Sequence, residues 1–68
     1  MLSGGHVYKH KNCLDMHLYV IRRQYTGPLY TKYKVLYVDN KFRTYAGGTE
    51  TVTIAHKDLE NWKYVGKA

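Results

Sequence analysis

Residues 29–48 read LYTKYKVLYVDNKFRTYAGG. Five of these twenty residues are aromatic and four are basic, and they alternate over most of the stretch. An alternation with a period of two is typical of β-strands, because successive side chains of a strand point to opposite faces. The stretch therefore predicts a β-hairpin with one face for a core and one face for solvent.

The predicted hairpin turns at Asp39-Asn40, since both residue types tolerate positive φ. Its strands would cover residues 30–38 and 41–46, and Gly47-Gly48 would end the second strand. The core face is then expected to carry Tyr33, Val35, Tyr37, Phe42, Thr44 and Ala46. The opposite face is expected to carry Tyr30, Lys32, Lys34, Leu36, Val38, Lys41, Arg43 and Tyr45. A one-residue bulge in either strand would exchange these two faces.

The rest of the chain is also divided into short β-segments. Strands are predicted over residues 6–10, 14–21, 50–56 and 62–65, with a turn at Thr26-Gly27-Pro28. The segment HKDLENW predicts one turn of helix, which Asp58 could cap. The prediction is an all-β fold of five to six short antiparallel strands, with one helical turn before the last. Residues 1–5 are expected to be a flexible N-terminus, and residues 6–68 to form a single domain.

This order of elements resembles small SH3-like β-barrels, including short proteins of unknown function from bacteria and their phages. The resemblance is carried by Tyr8-Lys9-His10 on the first strand, Leu36-Tyr37 late in the third, and residues 58–62 (DLENW) at the final turn. It covers most of the chain as architecture and implies a small SH3-like barrel, either closed or left open as a bent sheet. The sequence has no acidic loop and no N-terminal motif of the peptide-binding SH3 domains, so the resemblance does not imply recognition of Pro-rich peptides.

The amino-acid composition indicates which kinds of partner and which cellular location to expect. The 68 residues carry 11 Lys and Arg but only 5 Asp and Glu, a net charge of +6. Such a charge favours anionic partners such as nucleic acid, acidic proteins or an anionic membrane. The single cysteine, Cys13, excludes an intramolecular disulfide and fits a reducing compartment. No apolar run approaches the length that spans a bilayer, so we expect a cytoplasmic protein without a membrane partner.

Catalytic and metal-binding patterns are weak. His6, His10, Cys13 and His17 are residue types that bind zinc, but their spacing is not that of a zinc site. On one strand, His residues four apart lie about 13 Å from each other, although adjacent strands could bring His10 and His17 together. The carboxylates are scattered. A nucleophilic pair of Cys13 with His10 or His17 would need an orienting group and an oxyanion hole, and nothing in the sequence marks either. We therefore predict no metal, no cofactor and no enzymatic activity.

The basic and aromatic part of the solvent face is the predicted binding surface. Exposed Tyr rings stack on bases, and nearby Lys and Arg side chains neutralise phosphates. The predicted activity is binding of nucleic acid, single-stranded or RNA, through Tyr30, Lys32, Lys34, Lys41, Arg43 and Tyr45. The alternative is a protein-interaction module, such as a phage-type accessory protein that docks on another protein through Leu36 and Val38. The protein is expected to be a monomer or a weak homo-oligomer.

Overall fold

The computed structural model describes residues 1–13 and 15–68 and shows one five-stranded antiparallel sheet. The strands are β1 (His6–His10), β2 (His17–Thr26), β3 (Tyr30–Val38), β4 (Thr44–Ala55) and β5 (Trp62–Lys67). A 3₁₀-helix (His56–Asn61) connects the last two strands. The strand order is β4-β3-β2-β1-β5, so β4 and β5 are the edges, and the sheet that these residues form does not close into a barrel. The all-β fold and the helical turn before the last strand are confirmed.

Strand β2 differs from the predicted strand over residues 14–21. Leu14 lies outside the described residues, and β2 begins at His17 and continues to Thr26. The strand does not end at Arg22-Arg23. With two bulges, β2 stays paired with β3 as far as the turn at residues 27–29. A bulge adds one unpaired residue to a strand without ending the ladder.

The turn between β3 and β4 is longer than predicted. Val38 pairs with Thr44, so residues 39–43 form the connection rather than Asp39-Asn40 alone. Asp39 is the cause, because one of its carboxylate oxygens accepts the backbone N–H groups of Lys41 and Arg43, both at 2.9 Å. This Asx-type arrangement closes a wider loop than a two-residue hairpin turn does.

Gly47 and Gly48 do not end a strand, and β4 joins the two strands predicted over residues 41–46 and 50–56. Leu36 pairs with Thr49, whereas Val38 pairs with Thr44, so the intervening part of β4 bulges out of the ladder. The bulge requires positive φ angles, which are +132° at Gly47 and +78° at Gly48. Glycine adopts such angles without the steric cost that a Cβ imposes.

The prediction of which residues lie on the core face and which on the solvent face is correct along β3 but wrong for the residues that follow β3. Tyr33 and Val35 are buried on the core face as expected, but the longer turn and the bulge change the positions that follow. Phe42 has a φ of +65° and lies on the opposite face, where its ring packs against Gly66. Thr44 and Ala46, which were also expected in the core, are exposed.

The core lies on one face of the sheet and is centred on Tyr33, the largest of the fully buried side chains. The 3₁₀-helix contributes Leu59 to it, and Asp58 makes no capping hydrogen bond there, since the residue at the cap is Ala55. The buried members of this cluster are Leu2, Tyr8, Leu18, Val20, Tyr33, Val35 and Ile54. Tyr37, Val52, Leu59 and Trp62 are partly buried against them.

The N-terminal residues take part in this core, although they were expected to be a flexible segment outside the domain. Leu2 is only 4% exposed, and its backbone N–H donates to the Tyr33 hydroxyl at 3.3 Å. The N–H of Ser3 donates to the Tyr8 hydroxyl at 2.9 Å. These two bonds give the phenol groups of the core their polar partners, which a buried hydroxyl requires.

We expect Leu2→Ala to lower the free energy of unfolding by about 2–4 kcal/mol, because it leaves a cavity beside Tyr33. Urea denaturation followed by tyrosine and tryptophan fluorescence measures the change. Leu29→Ala is the matched control, since Leu29 is 76% exposed and its truncation should cost less than about 0.5 kcal/mol. Equal losses for the two variants would show that Leu2 is not part of the core.

Candidate nucleic-acid interface

A group of basic and aromatic side chains lies on the sheet face opposite the core. Lys32 and Lys34 alternate along β3 with the buried Tyr33 and Val35, so they point away from the core. Arg22 pairs with Lys34, and Tyr25 pairs with Lys32, which places all four on the same face. Tyr30 continues the alternation at the start of β3. We call this group the basic face: Arg22, Tyr25, Tyr30, Lys32 and Lys34.

The two bulges of β2 determine which of its residues lie on the basic face. Val20 pairs with Val35 on the core side, and without a bulge Ile21 would then lie opposite Lys34. The first bulge replaces Ile21 with Arg22 at that position. In the same way, the second bulge places Tyr25 rather than its predecessor opposite Lys32. The bulges thus add a cation and an aromatic ring to the sheet face.

Two tyrosines of the basic face form an exposed aromatic pair. The ring centroids of Tyr25 and Tyr30 are 5.8 Å apart, and the ring planes are tilted by 44°. Tyr25 is 50% exposed and Tyr30 is 36% exposed. The pair therefore keeps ring surface available to a ligand at the end of the sheet next to the β2–β3 turn.

The positive charge of the basic face is not neutralised within the described part of the chain. The one ion pair there joins Arg43 Nε to Asp39 Oδ2 at 3.0 Å, at the opposite end of β3. Beside Lys34, the Thr51 hydroxyl donates to the Gln24 side-chain oxygen at 3.0 Å, and both of these side chains are uncharged. The cations of the face are thus free to attract an anionic ligand.

The structure brings together only half of the predicted nucleic-acid site. Tyr30, Lys32 and Lys34 belong to the basic face, whereas Lys41, Arg43 and Tyr45 follow the far end of β3. From Tyr30 to Val38 the strand advances by about 26 Å, at roughly 3.3 Å per residue. Arg22 and Tyr25 of β2 lie on the basic face, although the sequence analysis did not predict them. The alternating pattern of β2 does not indicate these two residues, because bulges interrupt it.

Leu36 and Val38, the predicted protein contacts, lie in a small apolar cluster on the same sheet face. Val38 is 2% exposed, and Leu36 is half-buried. The cluster also contains Val7, Tyr19 and Phe42. Val38 therefore has almost no side-chain surface for a partner, and docking through Leu36 stays a prediction.

A surface cleft of about 470 Å³ lies beside the bulge of β4. Tyr37 and Glu50 face each other in it, and burial, together with the charge of Glu50 and a hydrogen bond to it, raises the pKa of the Tyr37 phenol above 10.0. Tyr37 therefore stays protonated at neutral pH. The cleft is lined by Cys13, Asp15, Met16, Tyr37, Tyr45, Ala46, Gly47, Gly48 and Glu50.

The candidate metal ligands are distributed over both faces of the sheet. Lys9 pairs with His17, so His17 lies on the face of Lys9 and His10 lies on the other face. The His10 ring packs at 4.9 Å from Trp62, and the His6 ring packs at 5.2 Å from Tyr64. Within residues 1–13 and 15–68, no three His, Cys, Asp or Glu residues gather in a way that would hold a metal ion.

Comparisons with protein-family models, with curated proteins and with solved structures gave no match. In the described residues, no helix combines the length and the apolar character that crossing a bilayer requires. Function is therefore inferred from the residues of the basic face and their surroundings.

The Asp39 carboxylate that closes the β3–β4 turn should titrate below its ordinary value. The backbone N–H of Arg43 is the largest cause, and the Lys41 N–H and the Arg43 side chain also lower the pKa of Asp39 below 3.8. Because the folded pKa is lowered, the carboxylate stabilises the turn above about pH 4 and loses this effect as the pH falls through the folded pKa.

The Asp39 titration can be followed by NMR through its carboxyl ¹³C shift and the amide shifts of Lys41 and Arg43. We expect one midpoint below 3.8 for all three signals. The same carboxyl in urea-unfolded protein should titrate near the ordinary value of about 3.9. A folded midpoint at or above the unfolded one would contradict this role of Asp39.

Proposed function

We propose that this protein binds single-stranded nucleic acid, DNA or RNA, through the basic face. The observation that carries the proposal is the exposed Tyr25–Tyr30 ring pair beside Arg22, Lys32 and Lys34, three cations that form no ion pair within the described part of the chain. Bases of a single strand stack on exposed aromatic rings, and Lys and Arg neutralise the adjacent phosphates. A duplex hides its bases from such rings, which is why a single strand is the preferred ligand.

The proposed role is binding without catalysis. The two tyrosines, two lysines and one arginine of the basic face supply ring surfaces and positive charges, which are the groups that binding alone requires. Stacking also does not depend on base identity, so little sequence preference is expected. We propose a cytoplasmic location for this role, because Cys13 is a free, exposed thiol that fits a reducing compartment.

A protein partner is the second candidate, and the exposed Leu29 is the observation that favours it. Leu29 is 76% exposed beside Pro28 and Tyr30, next to a cleft of about 400 Å³ that also contacts His56 and Lys57. The basic surroundings suit an acidic partner. The likeness to SH3-like barrels and a phage-type accessory role belong to this second proposal.

Fluorescence anisotropy of labelled single-stranded DNA, RNA and duplex DNA tests the first proposal at 50 and 200 mM salt. Three phosphate contacts predict a loss of about 20-fold in single-strand affinity over this range, from a slope of about −0.7 per contact. Tyr30→Ala should weaken binding about 5-fold or more at both salt concentrations, because it removes a stacking surface. Lys34→Ala should also make the salt slope shallower by about 0.7.

Lys41→Ala is the matched control for Lys34→Ala, since it removes the same charge from the exposed β3–β4 turn. We expect it to leave the salt slope unchanged. Equal slopes for the Lys34 and Lys41 variants would reject the basic face as the site. Single-strand binding that is no tighter than duplex binding, or that is insensitive to Tyr30→Ala, would reject stacking.

A further inference from the structure

The two edges of the sheet differ in their protection against pairing with another chain. An edge strand exposes unpaired backbone N–H and C=O groups, and proteins commonly block such edges with Lys or Pro. The six residues of β5 include Lys63 and Lys67. The twelve residues of β4 contain no proline and none of the chain's 11 Lys and Arg residues. Only β4 lacks these protective residues.

The C-terminal part of β4 is a regular edge suited to strand pairing. Its bulge ends before Thr49, and residues 49–55 continue in register with β3 from Leu36 to Tyr30. In the described residues, β4 pairs only with β3, so the other side of the strand has no backbone partner. This free edge is about 23 Å long at roughly 3.3 Å per residue.

The few charges of β4 and its sequence around Val52 favour pairing of this edge with a second copy of the same chain. Two molecules with a charge of +6 repel each other, but β4 has Glu50 as its only charged residue and adds no positive charge of its own to the contact. An antiparallel pair centred on Val52 places Thr51 opposite Thr53 and Glu50 opposite Ile54. Threonine pairs stabilise neighbouring strands, and no like charges lie directly opposite each other in this register.

We propose that two copies pair antiparallel through residues 49–55 of β4, around a two-fold axis at Val52. Such an isologous contact joins two five-stranded sheets into one continuous sheet. The axis is perpendicular to the sheet, so both basic faces lie on the same side. The pairing does not depend on nucleic acid, and it is tested with the protein alone.

Sedimentation velocity between about 1 and 500 µM protein tests this contact. We expect a monomer–dimer equilibrium that shifts to the dimer with concentration. The double variant Thr51→Lys/Thr53→Lys should raise the dimer dissociation constant at least about 10-fold, because like charges would face each other across the axis. Asn12→Lys/Asn40→Lys is the control, since it adds the same charge at two exposed turn positions and should leave the dimer within about 2-fold.

A charge-reversal experiment tests the register. An equal mixture of Thr51→Lys/Thr53→Lys with Thr51→Glu/Thr53→Glu should form a mixed dimer more tightly than either variant forms its own. Amide hydrogen exchange on the unmodified chain gives an independent measurement, and exchange in residues 49–55 should slow as concentration rises. A monomer at every concentration, an unaffected Lys variant, a mixture without rescue, or concentration-independent exchange would each overturn the proposal.

Discussion

The burial of the Tyr33 side chain is the constraint on which the rest of the structure depends. Tyr33 is fully buried in the middle of β3, and the strand period of two then directs Lys32 and Lys34 to the opposite face. Its hydroxyl also requires a polar partner, which the backbone N–H of Leu2 provides. The same side chain therefore attaches the N-terminal residues to the core and orients the lysines of the basic face.

The face opposite the core is divided between an apolar end and the end that carries the proposed binding site. At one end, Val7, Val38 and Phe42 belong to a small apolar cluster, and Val7 and Val38 are almost completely buried. At the other end, toward the β2–β3 turn, the face carries cations and the exposed pair of Tyr25 and Tyr30. This division confines the proposed site to one end of the sheet.

Sequence reasoning predicts the parts of this structure that depend on alternation. The extent of β3, its buried Tyr33 and Val35, and the outward Lys32 and Lys34 all follow from a period of two. Arg22 and Tyr25 could not be assigned in this way, because each β2 bulge shifts the pattern by one residue without any marker in composition. Lys41, Arg43 and Tyr45 were misplaced for a related reason, since the Asp39 hydrogen bonds lengthen the turn. Leu2 was missed because a single apolar residue without periodicity gives no sign of burial.

An NMR titration of isotope-labelled protein with an unlabelled oligonucleotide tests whether the basic face contacts a single-stranded nucleic acid. We expect the largest amide and aromatic shift changes at Arg22, Tyr25, Tyr30, Lys32 and Lys34. Signals from the cleft beside Tyr45 should remain nearly unchanged. Shift changes confined to that cleft, or no changes at saturating oligonucleotide, would contradict such a contact.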